Sequence, residues 1–183
     1  MRVIAGSARG AVLASPEGLQ TRPTADRARE ALFSILMEDI ADCRFLDLFG
    51  GTGAVGIEAL SRGAAYACFA DKAAEAVDCI RRNLDKTKLA VRSEVFHADA
   101  MAVLAKLAAR NDVFDIAFLD PPYETGLAKQ AAEAVLSAGL LSESGLLVIE
   151  CSAKEKALSL TGARLWKEKR YGAAVMGIYE VSQ

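Results

Sequence analysis

Residues 47–56 have the sequence Asp47-Leu48-Phe49-Gly50-Gly51-Thr52-Gly53-Ala54-Val55-Gly56 and directly follow two apolar residues. Glycines at this spacing let the backbone turn sharply and let a ligand lie against the main chain. A helical pattern begins at Ala54, so the N-terminus of that helix faces whatever the loop holds. Gly51-x-Gly53-x-x-Gly56 also fits the dinucleotide-binding fingerprint. The stretch therefore predicts a strand–loop–helix unit that binds a nucleotide-like ligand.

Strand and helix patterns alternate on both sides of this loop. Apolar strand patterns cover residues 45–49, 66–70, 94–97, 115–119 and 146–150, and helical patterns cover residues 54–62, 73–84, 100–110 and 127–138. Four strand–helix units and a fifth strand predict a parallel sheet with helices on both faces. Two more strand patterns, residues 163–170 and 174–181, flank Gly172 and predict a closing hairpin. We predict an α/β, Rossmann-like fold whose last strand is antiparallel.

The first 22 residues have a different pattern from the rest of the chain. Short strand patterns at residues 2–5 and 11–14 flank a turn-forming loop, which predicts a small β-hairpin. We therefore divide the chain into an N-terminal hairpin extension, residues 1–22, and a main domain, residues 23–183. Thr24 is a suitable N-cap for the helix pattern that begins the main domain. Arg27 stands where a capping box has Glu or Gln, so the chemistry of a helix start does not explain it.

Charge is distributed unevenly along the chain. The 183 residues are 52% hydrophobic and 25% charged, which fits one globular domain and excludes disordered and fibrous classes. The net charge of −2 excludes polyanion binding through bulk charge. Residues 1–29 nevertheless hold five arginines against two acids, and Arg164, Lys167, Lys169 and Arg170 form a second basic cluster. These two basic clusters suit contact with phosphate groups at a specific site on a ligand. On the charges alone, however, a solvated surface is the simpler interpretation.

The cysteines and the apolar runs indicate the cellular compartment of the protein. Four cysteines without CxxC spacing and one histidine, His97, offer no clustered zinc ligands, so we expect no metal site and buried, reduced thiols. Such thiols suit the cytosol. No stretch reaches the roughly 18–20 apolar residues of a membrane span. We therefore predict a cytoplasmic protein.

Two other residues have simple structural interpretations. Glu58 is expected to be a packing or surface residue of its helix, and Trp166 a core residue rather than a base-stacking one.

Three acids at strand ends narrow the choice of ligand for the glycine loop. Asp71 lies twenty residues after Gly51, where an acid binds the ribose of any adenosine cofactor, so it does not separate NAD from others. The carboxylate of Asp47 would repel a pyrophosphate and attract an ammonium group. Asp99 can accept the adenine amine beside the backbone amide of Ala100. S-adenosylmethionine carries an amine, a sulfonium and no phosphate, and we favour it over NAD.

Asp120-Pro121-Pro122-Tyr123 stands at the carboxyl end of the fourth strand pattern. Open α/β sheets bind ligands along that edge. The two prolines remove amide donors, so the motif presents acceptors beside the aromatic ring of Tyr123. This combination suits a planar group with an exocyclic NH2, which the acceptors hold while the ring stacks on the base. Asp120 can also take the released proton. The alternative is a strand-end turn in which Asp120 caps the next helix.

The sequence also resembles known enzymes. Asp47-x-Phe49-x-Gly51-x-Gly53 resembles motif I of the class I S-adenosylmethionine-dependent methyltransferases, and Asp120–Tyr123 resembles the catalytic motif of amino-methyltransferases. This resemblance implies a seven-stranded sheet. It implies a catalytic set of Asp120, Pro121, Pro122 and Tyr123. It implies a cofactor-binding set of Asp47, Phe49, Gly51, Gly53, Asp71, Lys72, Asp99 and Ala100.

Segments along nearly the whole chain resemble the RsmD family. They are Arg2–Gly6, Arg9-Gly10, Arg22-Pro23-Thr24-x-Asp26-Arg27-x-Arg29-Glu30, Asp47–Gly53, Glu58–Ala64 and Tyr171-Gly172. The resemblance implies that S-adenosylmethionine methylates the N2 amine of a guanine in 16S ribosomal RNA. It implies a monomer that acts on a small-subunit particle without a metal or a membrane. RNA phosphates would contact Arg2, Arg9, Arg22 and Arg27.

Several alternatives stay open from the sequence. Arg22 and Arg27 can instead order the carboxylate of the cofactor or pair with Asp26 and Glu30. The same pocket would serve an adenine-N6 methyltransferase that acts on RNA or DNA. The chain can also be a non-catalytic RNA-binding assembly module, although the intact motif at Asp120 argues against this.

Overall fold

A computed structural model describes residues 1–15, 23–123, 125–153 and 157–182. The strands in this part of the chain are β1 (Arg44–Asp47), β2 (Tyr66–Asp71), β3 (Ser93–His97), β4 (Phe114–Leu119), β5 (Leu141–Ser152), β6 (Ala163–Tyr171) and β7 (Ala174–Val181). The α-helices are α1 (Pro23–Ile35), α2 (Ala54–Ser61), α3 (Ala74–Thr87), α4 (Ala100–Ala109) and α5 (Leu127–Ser137). A short 3-10 turn covers Ala90–Arg92.

The seven strands form one sheet in the order β3-β2-β1-β4-β5-β7-β6. Strands β1 to β5 are parallel, and β7 runs antiparallel to both β5 and β6. This confirms the predicted Rossmann-like fold with an antiparallel last strand. The strand order reverses between β1 and β4, and a ligand in an open α/β sheet binds at the carboxyl ends next to such a reversal.

Helices cover both faces of the sheet. Helices α1, α2 and α3 pack on one face and α4 and α5 on the other, and each face has its own apolar cluster. Alternate residues of β5 divide between the clusters: Leu146 and Val148 face the first, whereas Leu147 and Ile149 face the second. This is the period-two alternation of a strand that is covered on both faces.

Some local predictions were wrong. The helix begins at Pro23, a favoured first helical residue, so Thr24 lies inside it and is not the N-cap. Strand β5 begins at Leu141, before the predicted start at residue 146, because β4 pairs with it from Leu141 onward. Trp166 is not a core residue: 41% of it is exposed, because β6 is the edge strand of the sheet.

The four cysteines are all buried, as predicted. Burial raises the pKa of the Cys43 and Cys68 thiols to about 12, so both are protonated at neutral pH. No helix in the described part of the chain combines the length and apolar character needed to cross a membrane. Within the same residues, no group of three or more His, Cys, Asp and Glu side chains is arranged to hold a metal ion.

The N-terminal segment packs on α2 and α3. Arg2 and Val12 form an antiparallel bridge, and Val3 and Leu13 are buried in the same cluster as α1 and α2. Asn83 on α3 accepts from the Ala14 amide at 2.7 Å and donates to the Thr52 carbonyl at 2.9 Å. The side chain of Asn83 therefore joins the hairpin to the glycine loop.

Glu58 on α2 holds the other end of this segment. Its carboxylate accepts from the backbone amides of Ile4 at 2.8 Å and Ala5 at 3.0 Å, and from Arg62 Nε at 2.7 Å. Glu58 has no exposed surface, so it is a packing residue of its helix and not a surface residue. Buried charge is tolerated when it is paired and hydrogen-bonded, and these contacts meet that requirement.

We expect Glu58→Ala to lower the free energy of unfolding by about 3 kcal/mol, because removing one partner of a buried ion pair leaves the other uncompensated. Urea unfolding measures the change. Glu133→Ala is the control, since this exposed glutamate on α5 forms a surface ion pair with Lys129, at 3.7 Å, and a change within about 0.5 kcal/mol is expected. Equal effects of the two substitutions would show that docking of the hairpin on Glu58 contributes nothing to stability.

Candidate active site

Two cavities open at the carboxyl edge of the sheet, next to the reversal between β1 and β4. The first has a volume of about 430 Å³ and the second about 370 Å³. Phe49, Gly51, Asp120 and Tyr123 line both. The two cavities are therefore adjacent, with these four residues between them, and we refer to the pair as the cleft.

Most of the predicted site residues lie along this cleft. The first cavity is lined by Phe49, Gly51, Asp71, Lys72, Asp99, Ala100, Asp120, Pro121, Pro122 and Tyr123, among others. Asp47 lines the second cavity. Gly53 lies behind the loop as the residue that precedes α2, with a left-handed φ of 75°. It shapes the loop without facing either cavity.

The glycine loop is held from beneath by Asp47. This residue ends β1, is 1% exposed, and accepts a hydrogen bond from the Gly56 amide at 3.0 Å. Gly56 lies in the first turn of α2, and a Cβ there would be 2.3 Å from the ring of Phe69. Only glycine lets α2 approach β2 this closely.

Two more strand-end acids border the first cavity. Asp71 accepts from the Gly51 amide and from the Ala73 amide, both at 2.9 Å, and so ties the end of β2 to the glycine loop. Asp99 caps α4 by accepting from the Met101 amide at 2.9 Å. Ala100 is the first residue of α4, so its amide has no acceptor within the helix. Both acids keep lone pairs available toward the cavity.

Asp120 and Glu150 emerge side by side. Leu119 at the end of β4 pairs in register with Ile149 of β5, and the two acids are the next residues of these strands. Both line the second cavity. Tyr123, 43% exposed, donates a hydrogen bond from its hydroxyl to Glu150 Oε1 at 3.1 Å. The ring is therefore fixed at the mouth of the cleft, where it can receive a flat ligand.

The prolines of the motif differ in their surroundings. Pro121 is buried, whereas Pro122 is exposed. The Pro122 carbonyl accepts a hydrogen bond from the Thr125 hydroxyl at 2.9 Å. The carbonyl of Pro121 is thus the better placed of the two to accept from a ligand.

Carboxyl groups crowd this edge and alter each other's ionisation. Desolvation in the cleft and the nearby charges of Glu150 and Asp47 raise the pKa of Asp120 to about 8, although part of the residue is exposed to solvent. Burial raises the pKa of Asp47 to about 7 against the opposing effect of the Gly56 hydrogen bond. Burial also raises the pKa of Glu150, although the hydrogen bond from Tyr123 opposes it. Such a cleft favours a cationic ligand, because positive charge relieves the repulsion.

Sequence reasoning missed two residues of the second cavity, Glu150 and Arg29. Glu150 is the last residue of the strand pattern at residues 146–150, and an acid at that position was a usable signal. Arg29 is only 4% exposed, and its guanidinium donates to the Arg2 carbonyl at 2.6 Å and lies 3.9 Å from Glu58. Its burial depends on contacts between distant segments, so the sequence carries no comparable signal for it.

The arginines predicted to bind RNA lie elsewhere. The side chains of Arg2, Arg9 and Arg27 are exposed and line neither cavity. Arg22 lies outside the described residues. Asp26 pairs with Arg29 at 3.3 Å, not with Arg27.

Comparisons with known proteins agree with this arrangement. The family model described as Conserved hypothetical protein 95 matches residues 1–180. Ribosomal RNA small subunit methyltransferase D of Escherichia coli (strain K12) is 35% identical over 182 residues, which cover 98% of this chain and 89% of that protein. The protein of the same name from Haemophilus influenzae is 33% identical over 183 residues, with 98% and 93% covered. The solved structure of the yhhF protein of Escherichia coli matches with a TM-score of 0.89 at 33% identity and covers 100% of this chain and 98% of that one.

We expect Asp120→Asn to stabilise the chain at high pH. The folded state binds the Asp120 proton more tightly than the unfolded state does, so this group lowers stability as the pH rises from about 4 toward 8. The variant should melt above wild type near pH 9, with a smaller difference near pH 5. Thermal unfolding at both pH values measures this.

The control is Asp78→Asn, which changes an exposed carboxylate on α3. An Asp120→Asn difference that stays the same at both pH values would contradict the raised pKa of Asp120.

Proposed function

We propose that this chain, which belongs to the family described as Conserved hypothetical protein 95, the RsmD family, methylates the N2 amine of a guanine in 16S ribosomal RNA with S-adenosylmethionine. The observation that carries the proposal is the position of Asp120 and Tyr123, which line both the glycine-loop cavity and the cavity beside it. A cofactor in one cavity and a substrate in the other can thus come into contact beside these two residues. The relatives named small-subunit ribosomal RNA methyltransferase D support the same substrate.

The first cavity fits the adenosine part of S-adenosylmethionine. Asp71 would accept from the ribose hydroxyls, and Asp99 from the adenine amine, with the Ala100 amide donating to a ring nitrogen. Phe49, Gly51 and Lys72 border the same space. Asp47, in the second cavity, would face the ammonium group. When bound, S-adenosylmethionine supplies a methyl group on a positively charged sulfur, and the crowded carboxyl groups suit that charge.

The catalytic motif fits a nucleobase amine. The Asp120 carboxylate and the Pro121 carbonyl would accept its two N–H bonds, which turns the nitrogen lone pair away from the ring system and toward the methyl donor. The ring of Tyr123 would stack on the base, and Pro122 keeps the turn rigid. Asp120 would then take the proton that leaves the nitrogen after transfer. Much of the rate would come from this positioning.

The exposed arginines of the N-terminal region fit RNA phosphates. Arg2, Arg9 and Arg27 face solvent, and we include Arg22 from the sequence. A base inside a folded RNA must leave its stack to reach Tyr123. The net charge of the chain is only −2, so bulk charge does not attract it to RNA. We propose that it acts in the cytoplasm as a monomer and recognises the surface of a preassembled small-subunit particle.

The proposal is tested on small ribosomal subunits from a strain that lacks this gene, with labelled S-adenosylmethionine and digestion of the RNA to nucleosides. We expect label in N2-methylguanosine. Asp120→Ala should lower kcat/KM by about 100-fold or more, since it removes the acceptor of the proton. Asp78→Ala, an exposed change on α3, should leave kcat/KM unchanged.

The other outcomes separate the alternatives. S-adenosylmethionine should raise the melting temperature of wild type and of Asp120→Ala, because it binds the folded state. Label in N6-methyladenosine would replace guanine by adenine as the target. Cofactor binding without label on subunits, naked RNA or assembly intermediates would favour the non-catalytic RNA-binding module.

The RNA contacts are tested by the salt dependence of binding to the same subunits. The double variant Arg9→Gln, Arg27→Gln should weaken binding and reduce the slope of log K against log salt by about 1 for each phosphate that is no longer neutralised. Lys129→Gln is the control, because this exposed lysine lies on α5, on the opposite face of the sheet from α1. An unchanged slope in the double variant would place the RNA on another surface.

A further inference from the structure

In the proposed methyl transfer Glu150 only holds the Tyr123 hydroxyl and has no contact with the base, although it lines the second cavity together with Asp120 and Tyr123. Glu150 lies on β5, which is paired on both sides, with β4 and with β7. Its backbone is therefore fixed. Its Oε1 accepts from the Tyr123 hydroxyl at 3.1 Å, which also fixes the side chain. A rigid carboxyl group thus lies next to the proposed amine acceptor.

Within the described residues, no Lys, Arg or His forms an ion pair with Glu150. Its neighbours include Asp120, and the two groups repel each other when both are ionised. An acid that is half buried beside another acid is unfavourable for folding, and its presence here points to a ligand that donates hydrogen bonds.

We propose that Glu150 accepts a hydrogen bond from N1–H of the target guanine and so makes the site select guanine over bases with an unprotonated N1. The inference rests on the proposed function and adds the group that would choose the base. In guanine, the N1–H donor is adjacent to the N2 amine. Two neighbouring carboxyl groups, Asp120 and Glu150, match these adjacent donors in order.

Adenine presents the opposite pattern beside its amine. Its N1 is an acceptor, so its lone pair would meet the Glu150 carboxylate and both would lack a donor. A site that is built to hydrogen-bond one substrate group can reject the analogue without that group by about 10⁴-fold, because its polar atoms are left unpaired. The Tyr123 hydroxyl cannot substitute for the missing donor on the base, since it already donates to Glu150.

The test uses 2-aminopurine, which keeps the 2-amine but has an acceptor at N1. Once the target guanine has been mapped, 16S RNA with guanine or 2-aminopurine at that position is assembled into small-subunit particles. Wild type should methylate guanine at least about 100-fold better by kcat/KM. Glu150→Gln offers an NH2 donor to N1, and should lower the value for guanine and raise it for 2-aminopurine.

The ratio between the two bases is the decisive quantity, because a merely structural role would change both values together. Glu143→Gln, at an exposed position of the same strand, should leave the ratio unchanged. Equal losses on both bases in Glu150→Gln would overturn the proposal, and so would a wild type that methylates both equally well. The second result does not depend on whether the variant folds. Absence of N2-methylguanosine on the guanine particle would instead show that the proposed function itself is wrong.

Discussion

The hydrogen bond from the Gly56 amide to the buried Asp47 carboxylate is the contact on which the site depends. It joins the end of β1 to the first turn of α2, and thereby sets where the glycine loop turns. The approach is possible because Gly56 has no side chain against the ring of Phe69. Asp71 then holds the other end of the loop through the Gly51 amide. Both cavities are built around the loop that these two carboxylates fix.

The same edge of the sheet carries several acidic side chains close together, which is unfavourable for folding. Asp47, Asp120 and Glu150 stand at the ends of neighbouring strands, and burial raises the pKa of each. Repulsion between these carboxyl groups lowers the stability of the fold, and a cationic ligand would relieve it. These three carboxyl groups are unfavourable for folding, but together they favour a positively charged ligand over a neutral or negative one. Local departures from good folding rules are expected at functional sites for this reason.

The sheet and its acids could be predicted because both follow from local patterns. Apolar runs gave the strands, and parallel strands place the acids that follow them, such as Asp71 and Asp120, at one edge. The burial of Glu58 could not be predicted, since its partners are the backbone amides of Ile4 and Ala5, more than 50 residues away. Every residue except proline has a backbone amide, so residue types do not indicate which amides a buried carboxylate will contact. The exposure of Trp166 required the position of β6 at the edge of the sheet, which the hairpin pattern does not specify.

The first residues of the chain contact both solvent and the second cavity. The side chain of Arg2 faces solvent while its carbonyl accepts from Arg29, which lines the second cavity. Met1 lines that cavity as well, and its sulfur accepts from the Thr52 hydroxyl of the glycine loop at 3.8 Å. The exposed Arg2 and the cavity wall at Met1 and Arg29 are thus parts of one packed unit, which the Glu58 carboxylate holds on α2 through the amides of Ile4 and Ala5.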